Sequence, residues 1–163
     1  MTPAQMRMHM HIFRRFHEQM MHLHDSARAA ILHSLTPAHR ALLARIVGDL
    51  SVALHPDRDA AARRLDAALS AGEKHYILNE GRYVMDQMHA LMDRMRSQMM
   101  GTMTTQQRQR MMMMHGQTTM AMGGGMMRRE CQHAPDAGQI LLHMALNDHP
   151  PMMRFMMMMH HPR

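Results

Sequence analysis

Residues 85 to 99 constrain this chain more than any other stretch. Met85, Met88, Met92, Met95 and Met99 recur at steps of three and four. That is the a/d spacing which draws one continuous seam along an α-helix, here with thioethers where leucines ordinarily sit. His89 borders the seam, one residue after Met88. A second stretch behaves alike: Met6, Met10, Phe13, His17, Met20 and His24 step by four and three, which predicts an N-terminal helix with a mixed Met/His/Phe stripe.

Methionine at helical spacing has an ordinary explanation, as a flexible, polarizable filler of a core. The composition asks for more, because the 163 residues include 28 Met and 16 His. Many of them fall outside any helical period: Met8-His9-Met10-His11, Met20-Met21-His22, the run Met111, Met112, Met113, Met114 and His115, and Met156 to Met159 followed by His160-His161. A helix cannot turn four consecutive side chains to one side, so packing does not account for such runs. Thioether sulfur is a soft donor suited to Cu(I) and, by the same softness, to Ag(I), and imidazole extends the range to Cu(II), Ni or Zn. The candidate ligands are therefore Met6, Met8, His9, Met10, His11, His17, Met20, Met21, His22 and His24 in the first helix. Met85, Met88, His89, Met92, Met95 and Met99 follow in the seam, and Met111 to Met114 with His115 come after it. Helical i, i+3 and i, i+4 sets such as Met85/Met88/His89/Met92 and His17/Met20/Met21/His24 place several donors within reach of one ion.

Bulk properties bound the rest. The length fits one domain with tails. With three Phe, two Tyr and no Trp, the core has to come from Leu, Ala and Met, which favours helices that each bury one face over a large globular core. The formal charge is +6, and 18 of the 19 basic residues are arginine. These arginines are scattered among acids, as in Asp57-Arg58-Asp59 and Asp93-Arg94, with no aromatic interleaving, so they read as a solvated helix surface and no nucleic-acid partner is expected. Cys131 is the only cysteine, which rules out an intramolecular disulfide and leaves it, with His133, as a possible further metal ligand. No apolar run approaches 18 residues, so no membrane insertion is expected. The start, Met1-Thr2-Pro3-Ala4-Gln5, lacks a basic region followed by an apolar one, so either the protein is cytoplasmic or an export signal has been removed.

Along the chain, residues 1–34 form a Met/His-rich helix, with Thr2 as N-cap and Pro3 in its first turn. Thr36 and Pro37 restart the chain. A helix over 37–54 then sets Leu42, Leu43, Ile46, Val47, Leu50 and Leu54 on one face. Asp57 or Asp59 caps a third helix, and Ser70 with Glu73 makes a capping box for a long helix to Met100. Whether these two helices join depends on Gly72, which a helix tolerates at about 1 kcal/mol. Thr104 with Gln107 makes another capping box, starting a short helix that closes the core at residue 115. Residues 116–135, with Gly123-Gly124-Gly125, read as a flexible linker. Residues 136–147 read as a short docking helix capped by Asp136, and 148–163 as a Met/His-rich tail, disordered without a ligand.

The restarts Leu35-Thr36-Pro37-Ala38-His39-Arg40 and Met103-Thr104-Thr105-Gln106-Gln107-Arg108 resemble the paired LTxxQ motifs of the Spy/CpxP family of bacterial envelope proteins, to which periplasmic heavy-metal-resistance sensors are also similar. The likeness covers residues 35 to 114. His39 stands in place of the first Gln and Met103 in place of the second Leu. The resemblance implies an all-α, elongated antiparallel helical hairpin, often a homodimer with a concave cradle, in the periplasm. Members act as ATP-independent chaperones, stress-signalling repressors or metal sensors. The family does not supply the Met/His clusters, which tilt this chain toward metal handling.

The expected function is sequestration or buffering of Cu(I) or Ag(I), with no organic cofactor. The alternative is a holdase that offers unfolded clients a Met-rich apolar surface, and a sacrificial oxidant trap ranks third. Catalysis is not expected: His17-Glu18-Gln19-Met20-Met21 lacks the second His of a zincin helix, and no nucleophile elbow, phosphate loop or CxxC occurs.

Overall fold

The computed structural model describes residues 2–110, 113 and 134–146, and these are all-α, with no strand among them. Six helices occur among the described residues: α1 (Pro3–Ser34), α2 (Pro37–Val52), α3 (Arg58–Ala68), α4 (Ala71–Gly101), α5 (described over residues 105–110) and α6 (Ala137–Ala145).

Each start is made by the side chains expected to cap it. Thr36 accepts from the His39 N–H at 3.2 Å with Pro37 behind it, and Asp57 accepts from the Ala60 N–H at 2.8 Å. Thr104 and Gln107 form a reciprocal box, and so do Asp136 and Gln139. Ser70 interrupts the chain between α3 and α4, so the two are separate helices and Gly72 lies inside the first turn of α4. The helix expected over 37–54 stops at Val52, because the residue before Pro56 is pushed out of the α region and the chain turns extended at Ala53. Leu54 consequently leaves the core face and is 93% exposed.

The helices pack in two compact units that cut across the order of the chain. One contains the described residues up to Ser26 and those from Arg82 to Pro135. The other contains Ala27–Gly81 and those from Asp136 onward. Long helices α1 and α4 thus each contribute a segment to both.

In the second unit α6 lies against α3 and, less extensively, α2. Ile31, Leu65, Ile77 and Leu141 are its largest fully buried side chains, joined by Leu35, Leu43, Ile46 and Leu142. Close approach of α6 to α3 requires Gly138: a Cβ there would overlap the Ala62 carbonyl oxygen and come within 2.8 Å of the Asp66 backbone nitrogen. The Asp66 carboxylate accepts from Lys74 Nζ at 2.7 Å and from the Gly138 N–H at 3.4 Å.

Glu73 holds the joints of this unit together. Its buried carboxylate accepts from the Ser70 N–H (2.9 Å) and hydroxyl (2.7 Å), closing the box that starts α4. It also accepts from the Thr36 N–H (3.1 Å) and from His39 Nδ1 (2.8 Å) at the start of α2. A glutamine at position 39 could have reached back to Thr36 itself. With His39 there, Glu73 of another helix makes that bond. Burial pushes the Glu73 carboxyl up, but hydrogen bonds from His39, from Ser70 and from the Thr36 backbone outweigh it and hold the group down from an ordinary 4.5 to about 2.

Two outcomes follow. A carboxyl whose folded pKa is depressed stabilises the fold fully above its unfolded value and loses that contribution as pH falls toward the folded one. Denaturant midpoints should therefore decline between pH 4.5 and about 2, and Glu73→Gln should flatten that decline. Gly138→Ala should cost about 2 kcal/mol in urea unfolding, because the atoms it meets are backbone and cannot give way.

Candidate functional site

In the first unit the opening part of α1 runs antiparallel to the closing part of α4. Gln5 Nε2 donates to the Thr102 carbonyl at 3.1 Å, and His9 Nε2 lies 2.5 Å from Thr102 Oγ1. Farther along, Ile12, Arg15, Phe16 and Gln19 line one recess with Leu91, Arg94, Met95 and Gln98.

Only part of one stripe lies on the buried line: Met20 and His24 of α1 are buried, and none of the α4 seam is. On α1 the buried positions of this unit are His9, Met20 and His24, and on α4 they are Val84 and Leu91. At about 100° per residue, the centre of the predicted stripe is turned about 35° from the centre of these buried positions on α1 and about 70° on α4. Met88, Met92, Met95 and Met99 are half-buried, Met85 is 52% exposed, and Met6 and Met10 are 56% and 43% exposed. The thioethers sit on the shoulder of the helix contact, where packing supports them on one side and solvent reaches them on the other.

Both shoulders lie on the same side of the pair. Position advances around a helix in one rotational sense, and reversing the second helix means that an advance off the contact line leads to the same side on both. The recess confirms this for the opposite side, since Ile12, Arg15 and Gln19 of α1 and Arg94 and Gln98 of α4 all lag behind their contact lines and all line it. One side of the pair thus carries Arg15 and Arg94, together with Met95 of the seam. Its other side carries Met6, Met10, His17 and Met21 of α1 with Met85, Met88, Met92 and Met99 of α4.

A second recess lies on the methionine side, lined by Pro3, Met6, Arg7, Met10, His11 and Arg14, none of them acidic. Among the described residues, no three His, Cys, Asp or Glu side chains come together to hold a metal. A site among the described residues of this unit would therefore draw on methionine sulfur, with no more than two imidazole or carboxylate donors. The two arginines repel a dication twice as strongly as a monocation.

The remaining candidates divide by position. His9 is buried and bonded to Thr102, and His24 is buried with Nδ1 3.8 Å from an Asp25 carboxylate oxygen, so both have structural surroundings of their own. Met20 is core, while Met8, His11, His22 and His89 are exposed and off the methionine shoulder. Met113 is exposed. Met111, Met112, Met114, His115, Cys131, His133 and the Met/His run at 156–161 lie outside the described residues.

One arrangement went unnoticed in the sequence. Thr2 and Gln5 form a reciprocal capping box at 2.9 and 3.2 Å, and Gln5 Nε2 also donates to Gln107 Oε1 at 3.2 Å. Two capping boxes therefore meet through their glutamines at this end of the unit. The signal was available: Met1-Thr2-Pro3-Ala4-Gln5 repeats the Met-Thr-x-x-Gln spacing of Met103 to Gln107.

No family model matches the chain, and no curated protein or solved structure matches it either. Among the described residues no helix is long and apolar enough to cross a membrane.

If the shoulder is open, dilute peroxide should convert Met6, Met10 and Met85, along with Met8 on the exposed face, to sulfoxide well before Met20 and Met144. Peptide mass mapping over a time course reads this directly, and equal rates for all six would refute the placement.

Proposed function

We propose that this chain is a non-enzymatic protein of the bacterial periplasm, related to the Spy/CpxP group, that sequesters or buffers Cu(I), with Ag(I) bound by the same donors. The observation that carries the reading is the position of the methionines on one shared shoulder of α1 and α4, supported but not enclosed, where sulfur lone pairs remain accessible. On α4 a purely structural role would have placed the seam methionines along the buried line, which Val84 and Leu91 occupy instead. Arginine beside the methionines and the absence of acidic side chains in the recess they line argue for a soft monocation over Zn or Ni.

Holdase activity is the second reading, favoured by the exposure of Met6, Met8, Met10 and Met85, adaptable apolar side chains of the kind promiscuous binders present. The two separate cleanly. Reduced protein titrated with Cu(I) against a chromophoric chelator, or with Ag(I) by calorimetry, should take up several equivalents. Binding to the folded state alone should add about 2.7 kcal/mol of stability at a hundredfold excess over Kd, read as a rise in Tm. Absence of uptake, together with suppression of client aggregation that chelators do not affect, would replace metal buffering with chaperoning.

A further inference from the structure

We infer that soft ions are shared between α1 and α4, one bridging Met10 to Met99 and another bridging Met21 to Met88; this rests on the soft-metal reading above. The argument is one of register. His9 meets Thr102, and residues 12–19 of α1 line a recess with residues 91–98 of α4, so positions whose numbers add up to about 110 stand level across the pair. Because these are side-chain contacts, the tilt of each Cα–Cβ bond toward its own N-terminus is already included.

That register sets Met10 level with Met99, His17 with Met92, and Met21 with Met88. On α1 the intervals are seven and four, and on α4 the matching intervals, read in reverse, are seven and four again. All six residues lie on the shared shoulder. A site made by one helix alone places no demand on the spacing of the other, and its methionines could fall at any level. Matched spacing in antiparallel register is what bridging requires.

The chemistry fits the geometry. A d10 monocation accepts two thioethers in near-linear coordination, with room for one imidazole as a third donor. Axes of packed helices lie about 8–10 Å apart, a gap that two unbranched methionine side chains on its edges can close from either side. His17, level with Met92 and one turn before Met21, supplies a third donor to the ion between Met21 and Met88. An ion held this way fastens α1 to α4 within the unit, so occupancy and helix pairing are coupled.

Full-length protein carrying 13C-labelled methionine ε-methyl groups, titrated with silver nitrate and followed by NMR, tests this without any redox step. Met10→Leu and Met99→Leu identify the two resonances, keep the surface apolar and fall on half-exposed positions; circular dichroism checks that each variant remains helical. The Met10 and Met99 methyls should shift together with one midpoint. In Met99→Leu the Met10 methyl should need at least about ten times more Ag(I), since loss of one tethered donor removes its effective concentration, and Met10→Leu should do the same to Met99. An unchanged Met10 midpoint in Met99→Leu, or movement confined to other methionines, overturns the bridge and leaves soft-ion binding standing. If no methionine methyl moves in the unmodified protein, the soft-metal reading falls as well.

Discussion

A pair of helices offers one buried line on each member, and the competition for that line decides what every other position can do. Fixing a methionine side chain in a core costs up to about 2 kcal/mol of rotamer entropy, against about 0.5–1 for leucine or isoleucine. Rotating α4 so that Val84 and Leu91 point inward therefore buries apolar area at a smaller entropic cost than burying the methionine row would. The methionines then take the shoulder, where one side packs and the sulfur keeps its freedom. The surface at issue for function is in this sense a consequence of where the cheaper core residues fall.

The other unit depends on charge placement as much as on apolar burial. A buried carboxylate is costly unless its lone pairs are filled, and Glu73 fills them from Ser70, Thr36 and His39. One side chain thus satisfies donors at the starts of two helices, joining segments that are distant in the chain. His39 at the third position of α2 leaves the Thr36 N–H to Glu73 and itself bonds the same carboxylate.

Much of this was legible in the residues. Helix starts were, because caps are local: Thr36, Asp57, Ser70, Thr104 and Asp136 all sit where short-range chemistry puts them. The helical seams were legible as periodicity, but their rotation was not. A seam of methionines and a seam of aliphatics share α4, offset by about 70°, and only the partner helix decides which faces inward. For the same reason His9 read as a ligand: its hydrogen bond to Thr102 spans most of the chain, and nothing near it in sequence announces the partner. Gly138 was equally silent, since the need for a bare Cα arises from the carbonyl of Ala62 on another helix.

The short helix α6 shows how electrostatics can choose a direction. Nine residues are too few to hold a helix unaided, and its ends are fastened by opposite charges: the Asp66 carboxylate accepts the Gly138 N–H in the first turn, while Arg28 Nε donates to the Met144 carbonyl in the last. Each charge faces the pole of the peptide dipoles that attracts it. Docked end for end, the segment would meet Arg28 with its amides and Asp66 with its carbonyls, like against like at both poles. Together with the bare Cα of Gly138 against Ala62, this pair of side chains gives the segment a compass bearing.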